Sequence, residues 1–140
     1  MSPIAIPSTW RYLQSRYRLV ASHCSCGIVS FPPQNYCPEC KQPIMKKAPL
    51  SGRGILESWT VIHNPPEGWE IEVPYILGLI KLNEGPKVTA QLVGITPKEI
   101  SSGMKVKMAF RRLGSSPDEE TVLQYGYKFI PEEDPRPRET

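Results

Sequence analysis

The four cysteines are the feature that most constrains how this chain can fold. All of them lie in residues 24–40, which read "CSCGIVSFPPQNYCPEC", with a glycine directly after the second cysteine. Two close cysteine pairs in a reducing compartment indicate a metal site rather than disulfides. Zinc is commonly held by four thiolates in two turns, each permitted by a small residue after the cysteine pair. The spacing therefore predicts a structural zinc ribbon over residues 19–50.

The ligand set has one open alternative. Cys37 and Cys40 in "CPEC" have the usual gap of two residues, whereas Cys24 and Cys26 in "HCSC" are one residue closer. His23 is separated from Cys26 by two residues, the usual gap, so a set that contains His23 is the alternative. We predict that the four cysteines are the ligands. Four thiolates leave no open coordination position, so the zinc would stabilise the fold and not activate water.

Nothing in the sequence points to export or to a membrane. No apolar run approaches the roughly 18 residues of a membrane span, and the N-terminus "MSPIAIPSTWRYLQ" lacks a basic start followed by an apolar signal core. The chain is therefore expected to be cytoplasmic, in keeping with metal-bound cysteines.

The remainder of the chain is predicted to be mainly β. Sixteen prolines and ten glycines without a repeat favour short elements and frequent turns. Short segments bounded by turn residues predict five strands, at residues 55–63, 75–82, 87–93, 104–111 and 122–129; the second is apolar on both faces, and the last two alternate. Thr96 followed by Pro97 and Glu99 predicts a short helical turn between the third and fourth strands. This order matches a five-stranded OB-fold barrel over residues 51–131.

The strand patterns also predict which side chains face inward. In the fourth strand, Met104, Val106, Met108 and Phe110 share one face. In the fifth, Leu123, Tyr125, Tyr127 and Phe129 share the inner face, and Gln124 and Lys128 lie opposite.

The two ends of the chain are expected to differ. Residues 1–18 are predicted to contain an amphipathic helix whose apolar stripe is Trp10, Leu13 and Tyr17. That stripe either packs on the protein's own core or docks a partner. The tail, 132–140, has no apolar anchor and is predicted to be disordered or to lie on a partner.

Charge is unevenly distributed along the chain. Residues 1–53 carry seven Lys or Arg and one acid, whereas residues 54–140 carry ten Lys or Arg and thirteen acids. The first part is thus about +6 and the second about −3. A basic surface attracts phosphates, nucleic acid or an acidic protein face, and charge alone does not choose among them.

Several segments in this order resemble a known family. The aromatic N-terminal segment, the cysteine segment, "GRGILESWTVIH", "VPYILGLIKLNEG", "ISSGMKVKMAF" and "YKFIP" together resemble the zinc-ribbon plus OB-fold family of acyl-CoA-associated proteins. The resemblance covers residues 8–131. The chain departs from the family in its shortened first cysteine pair and in Gln34, where an arginine often follows the paired prolines.

The resemblance implies a scaffold that accompanies thiolase-type enzymes. Archaeal members resemble the subunit that joins acetoacetyl-CoA thiolase to 3-hydroxy-3-methylglutaryl-CoA (HMG-CoA) synthase at the entry of the mevalonate pathway, and bacterial members accompany thiolases of lipid or sterol degradation. It also implies that the protein helps to enclose coenzyme A or an acyl-CoA.

The residues themselves predict a binding protein and not an enzyme. Every cysteine is assigned to metal, and neither histidine lies in a nucleophile or acid–base motif. Coenzyme A needs cations for its phosphates and a flat wall for its adenine. The candidate cations are Arg53, Lys105, Lys107, Arg111 and Arg112, and the candidate walls are Trp59, Trp69 and Tyr75.

Two other functions remain open from the sequence. Zinc ribbons and OB barrels both occur in proteins that bind single-stranded nucleic acid. The acidic barrel half and the inward aromatics of the fifth strand argue against that function. The second is an interaction module of an unrelated multienzyme complex that makes no contact with coenzyme A.

Overall fold

The computed structural model describes residues 7, 10, 17–44, 46–67, 69–112 and 125–133. Most of the predicted N-terminal helix and most of the predicted disordered tail lie outside these residues. Backbone contacts divide the chain into two compact units, Met1–Ser51 with Glu84–Pro86, and Gly52–Asn83 with Lys87–Thr140. No helix in the described part of the chain has both the length and the apolar character needed to cross a membrane.

The described residues form eight strands. Three short ones belong to the first unit: β1 (Val20–His23), β2 (Val29–Ser30) and β3 (Lys46–Pro49). Five belong to the second unit: β4 (Arg53–Ile62), β5 (Tyr75–Leu82), β6 (Lys87–Leu92), β7 (Lys105–Arg112) and β8 (Tyr125–Pro131).

The first unit is built on a small antiparallel sheet in the order β2-β1-β3. The buried hydroxyl of Ser22 holds the chain beside this sheet, since it donates to the carbonyl of Gln34 at 2.8 Å and accepts from the Gln34 N–H at 2.7 Å. Among the described residues of this unit the buried apolar side chains are few: Leu19, Ala21, Cys37, Ile44 and Leu50. So small a core cannot offset the ordering entropy of the segment without a cross-link.

The second unit is a closed barrel in the order β4-β5-β6-β8-β7, with β7 returning to β4. All its pairs are antiparallel except β6 with β8. The prediction of a mainly β protein with a five-stranded OB-like barrel is confirmed. Closure pairs strands that would otherwise be edges.

Alternation fills the barrel with branched side chains. On β5 every second residue from Ile76 to Leu82 is buried, and β6 repeats the pattern at Val88, Ala90 and Leu92. The other large buried apolar side chains are Leu56, Ile100, Val106 and Phe129. Among the described residues this core has twice as many buried apolar side chains as the first unit's, and all of them except Ile100 lie on strands.

The segment between β6 and β7 is a single turn in which the predicted capping residues, Thr96 and Glu99, are bonded to each other. The N–H and the hydroxyl of Thr96 both donate to Glu99 Oε2, at 3.0 and 2.7 Å, and the Glu99 N–H donates to the Thr96 carbonyl at 3.0 Å. These bonds are those of a helix cap, but the structure has one hydrogen-bonded turn there and no helix. "SSG" at 101–103 follows at once and ends the turn.

Two residues predicted to face inward are exposed. Phe110 and Tyr125 are 50% and 37% exposed, and their rings stack with centroids 5.5 Å apart. The inward prediction is wrong for them because β7 pairs with β4 only from Lys105 to Lys107. Beyond that point β7 and β8 continue as a two-stranded ribbon without the neighbour that would cover the inner face.

Lys128 lies opposite Phe129 on β8 as predicted, yet it is only 5% exposed. The loop between β4 and β5 covers it: Lys128 Nζ donates to Glu72 Oε2 at 3.0 Å and lies 5.9 Å from the Trp69 ring. The same Glu72 oxygen accepts from Gln91 Nε2 on β6 at 2.9 Å. Glu72 therefore links β6 to β8 where, among the described residues, the ladder has a single register pair, Leu92 with Phe129.

Candidate metal centre

The four cysteines meet at one point of the first unit. Their sulfur atoms all lie within 4.8 Å of one another. Cys24 Sγ is 3.4 Å from Cys40 Sγ, and Cys26 Sγ is 3.6 Å from Cys37 Sγ. These separations are far longer than a disulfide bond of about 2.05 Å. They fit four sulfurs bound tetrahedrally to zinc, for which a Zn–S distance of about 2.3 Å gives S···S separations of about 3.8 Å.

Two backbone turns of the same design present the sulfurs. In the first, Cys24 N–H donates to the Ile28 carbonyl at 2.9 Å and Gly27 N–H donates to the Cys24 carbonyl at 3.0 Å. In the second, Cys37 N–H donates to the Gln42 carbonyl and Lys41 N–H donates to the Cys37 carbonyl, both at 3.0 Å. The first turn has the same arrangement of bonds as the second but contains one residue fewer. The short spacing in "CSC" is thus accommodated by a tighter turn.

In both turns, the residue whose N–H donates to the carbonyl of the first cysteine has a left-handed backbone conformation. Gly27 has φ of 94° and Lys41 has φ of 57°. A glycine adopts this conformation without strain, whereas a lysine does so at a cost. The sequence signalled the first turn through its glycine but gave no signal at Lys41.

The thiols differ in acidity before any metal is considered. The backbone N–H of Cys26, followed by the neighbouring thiols, lowers the pKa of Cys24 to about 6. At Cys26 the backbone N–H of Ile28 acts to lower the pKa, but the hydrogen bond with Cys24 and desolvation outweigh it and raise the pKa to about 12. The Cys24 sulfur is thus ready as a thiolate at neutral pH, and a metal must displace the proton of Cys26.

His23 lies outside the group of four sulfurs. Its Nε2 atom is buried and has no hydrogen-bond partner in the described part of the chain. The geometry favours the set of four cysteines over the set that contains His23, and a metal in that set has no open position. Bound zinc would link the β1–β2 turn, which carries Cys24 and Cys26, to the 37–40 turn.

Lys41→Gly is expected to tighten zinc binding about 2- to 5-fold. Glycine removes the strain of a lysine in the left-handed conformation, and the greater entropy of the unfolded glycine chain offsets part of that gain. Competition with a chromogenic chelator measures the change. Gly27→Ala is the matched control: nothing lies within 4 Å of the added Cβ, so any weakening reports backbone strain alone. Weaker zinc binding by Lys41→Gly would contradict this description of the second turn.

The candidate coenzyme A residues do not form one site. Arg53 and Lys105 line an open cleft of about 270 Å³ on the barrel, where Arg53 Nη1 is 3.0 Å from Glu132 Oε1. Arg111 and Arg112 lie at the far end of β7, and Arg111 Nη1 donates to the Phe110 carbonyl at 3.1 Å. Lys107 lies on β7 opposite Arg53 and is half-buried. The cations therefore divide between one cleft and one strand end.

The candidate aromatic walls are also separated. Tyr75 packs against Trp69, with ring centroids 5.6 Å apart, on the outer side of the barrel. Trp59 pairs with Gly78, whose side of β5 faces the core, and is 36% exposed. Trp59 and Tyr75 thus lie on opposite faces of the sheet.

The predicted partner stripe is described only at two positions. Trp10 is 68% exposed and Tyr17 is half-buried. Leu13 lies outside the described residues.

Comparison with known proteins places these features in a family. A model of the C-terminal OB-fold domain of ChsH2 matches residues 47–111. A DUF35 domain-containing scaffold protein of Pyrococcus furiosus is 40% identical over 92% of this chain and 94% of its own length. The benzoylsuccinyl-CoA thiolase subunit BbsA of Thauera aromatica is 29% identical over 75% of this chain and 71% of its own. A solved Ltp2-ChsH2(DUF35) aldolase chain superposes with a TM-score of 0.66 at 29% identity, covering 94% of this chain and 98% of that one.

Proposed function

The chain belongs to the family of DUF35 domain-containing scaffold proteins, and from that premise we propose that it is a non-catalytic subunit that holds acyl-CoA enzymes together. The observation that carries the proposal is a likeness along nearly the whole length to a protein named as a scaffold. Relatives named as a thiolase subunit and as part of an aldolase support an enzyme of acyl-CoA chemistry as the partner.

The metal centre suits a scaffold. Four thiolates saturate a tetrahedral zinc, so the metal would supply rigidity and no reactive water. With all four cysteines in the candidate metal site, no thiol of the chain is left as a nucleophile. The chain's own residues would bind and position, and its partners would catalyse.

The finer assignment is that the protein bridges acetoacetyl-CoA thiolase and HMG-CoA synthase, or a similar pair. In this arrangement the thiolase is bound by the basic ribbon and by the N-terminal segment, which contains Trp10, Leu13 and Tyr17. The barrel grips the second enzyme. Thiolase condensation is unfavourable. Direct passage of its product to the next enzyme would shift the condensation toward product without releasing the intermediate.

The barrel would also form one wall of a shared coenzyme A passage. Arg53 and Lys105 in their open cleft are the cations best placed together for a phosphate. Lys107, Arg111 and Arg112 would extend the positive surface along β7, and Trp59 or Tyr75 would supply an aromatic face. Because these groups are dispersed, the passage would need the partner enzymes to complete it.

Capture from the native cell tests the proposal. The tagged full-length protein is expected to bring down a thiolase-fold enzyme in a stoichiometric ratio, identified by mass spectrometry. A tagged variant with Cys37→Ser and Cys40→Ser, in which the ribbon lacks two ligands, is the control and is expected to lose it. Recovery of the unaltered protein without any thiolase-fold enzyme would overturn the proposal.

A further inference from the structure

The second half of β4 has one side that pairs with no described residue, although the barrel is closed. β7 pairs with β4 from Arg53 to Ile55, and the segment before β7 continues the ladder through two bonds at Leu56. From Ser58 to Ile62, no described residue pairs with that side, while the other side pairs with β5 throughout. We call Ser58–Ile62 the free edge.

The backbone groups that point out of this edge follow from the ladder. Leu56 directs both its N–H and its carbonyl away from β5, to Met104 and Gly103. Its partner Ile80 is thus in a pair without hydrogen bonds between β4 and β5, and such pairs alternate along an antiparallel ladder. Gly78 and Ile76 are the next two, so their partners Trp59 and Val61 turn their peptide groups outward. The bulge at Glu57 moves the outward set from even to odd residues.

In the described part of the chain, the free edge lacks the usual protection against strand addition. Natural edges are blunted by charges, prolines or covering loops. Residues 58–64 contain no charged residue and no proline, and Trp59 is 36% exposed. Elsewhere side-chain contacts support the closure of the barrel, as in the Glu72 link between β6 and β8. An open, uncharged edge in such a barrel indicates an acceptor for another strand.

We propose that the free edge takes an uncharged, extended segment of the partner enzyme as an added β-strand, with main-chain bonds to Trp59 and Val61. This inference rests on the proposed scaffold function. The absence of charge favours an uncharged segment over an acidic or basic one. A second copy of this chain is disfavoured because a five-residue strand pair alone buries far less than the roughly 1,200 Å² of a stable interface. In a larger enzyme interface the same strand pair would be one contact among several.

Amide hydrogen exchange tests the proposal on the complex captured through the tagged protein, with the free protein as reference. In the free protein the Trp59 and Val61 amides are expected to exchange rapidly and those of Thr60 and Ile62 slowly. In the complex the Trp59 and Val61 amides are expected to slow by about 100-fold or more. If the complex forms and those two amides stay fast, this proposal fails while the scaffold function stands. If no complex forms, the scaffold function fails first.

A matched pair of variants separates the main-chain bonds from general packing. Val61→Pro removes an outward N–H and no bond of the β4–β5 ladder, whereas Val61→Thr keeps the N–H and the β-branched shape. The proline variant is expected to weaken capture of the partner enzyme at least 10-fold, and the threonine variant to leave it within about 2-fold. Equal capture by both, with wild-type melting temperatures, would overturn the proposal. So would slow Trp59 and Val61 amides in a free protein that sediments as a dimer, since a second copy would then fill the edge.

Discussion

Cys37→Ser is expected to unfold the ribbon while the barrel stays folded. The Cys37 side chain is buried between its own turn and the other three sulfurs, so serine removes a ligand and a core residue together. Apparent zinc binding energies of roughly 10–16 kcal/mol are folding energy in such segments. In the described part of the ribbon the other buried apolar side chains are Leu19, Ala21, Ile44 and Leu50. The barrel holds its own core and should not respond.

Hydrogen exchange resolves the two units in one experiment. Protection is expected to disappear from β1 and β3 and to remain in β5 and β6. A strong chelator should produce the same pattern in the unaltered protein, and zinc should reverse it there and not in the variant. Ser25→Ala, between the first two cysteines, is the control and should keep protection. A protected ribbon in protein that holds less than about half an equivalent of metal would contradict the metal-dependent fold.

Lys128→Met is expected to lower the free energy of unfolding of the barrel by about 2–3 kcal/mol. It leaves the Glu72 carboxylate without its cation in a largely buried place, and breaking one partner of a buried pair typically costs about 3–5 kcal/mol. The lower figure allows for the partial exposure of Glu72. The double variant Glu72→Gln with Lys128→Met should recover much of the loss, because no unpaired charge remains and Gln91 keeps an acceptor.

Urea unfolding of the single and double variants measures this coupling as a cycle. The pair Arg53 with Glu132, at the same 3.0 Å separation but with its cation 61% exposed rather than buried, provides the control. Arg53→Met should cost about 0–1 kcal/mol, since exposed pairs contribute little. A loss in Lys128→Met no larger than that in Arg53→Met would contradict the role of Glu72 as the link across β6 and β8.

Local patterns predicted the parts of the fold that depend on near neighbours. The cysteine spacing foretold the cluster, because each turn is closed by bonds within five residues. The run from Tyr75 to Leu82, apolar on both faces, predicted both ends of β5 correctly. The predicted start of β4 is two residues late, because Arg53 and Gly54 join the barrel through their backbone and give no apolar signal.

Contacts between residues that are far apart along the chain were not predicted from the sequence. Lys128 meets Glu72 across 56 positions, through a loop whose path no periodicity encodes. Phe110 and Tyr125 fit the inward pattern, yet they lie past the end of the barrel. The coenzyme A candidates were chosen by residue type, and type does not tell which end or face of a barrel a cation occupies. The structure therefore groups Arg53 with Lys105 and leaves Arg111 and Arg112 apart.

Acyl-thioester turnover by the purified, zinc-loaded chain tests the scaffold account most directly, measured beside the enzyme complex captured with it. The account predicts that the complex converts its acyl-CoA substrate and that the chain alone gives no rate above buffer with the same substrate. Turnover by the chain alone, retained after contaminating enzymes are excluded by mass spectrometry, would contradict it.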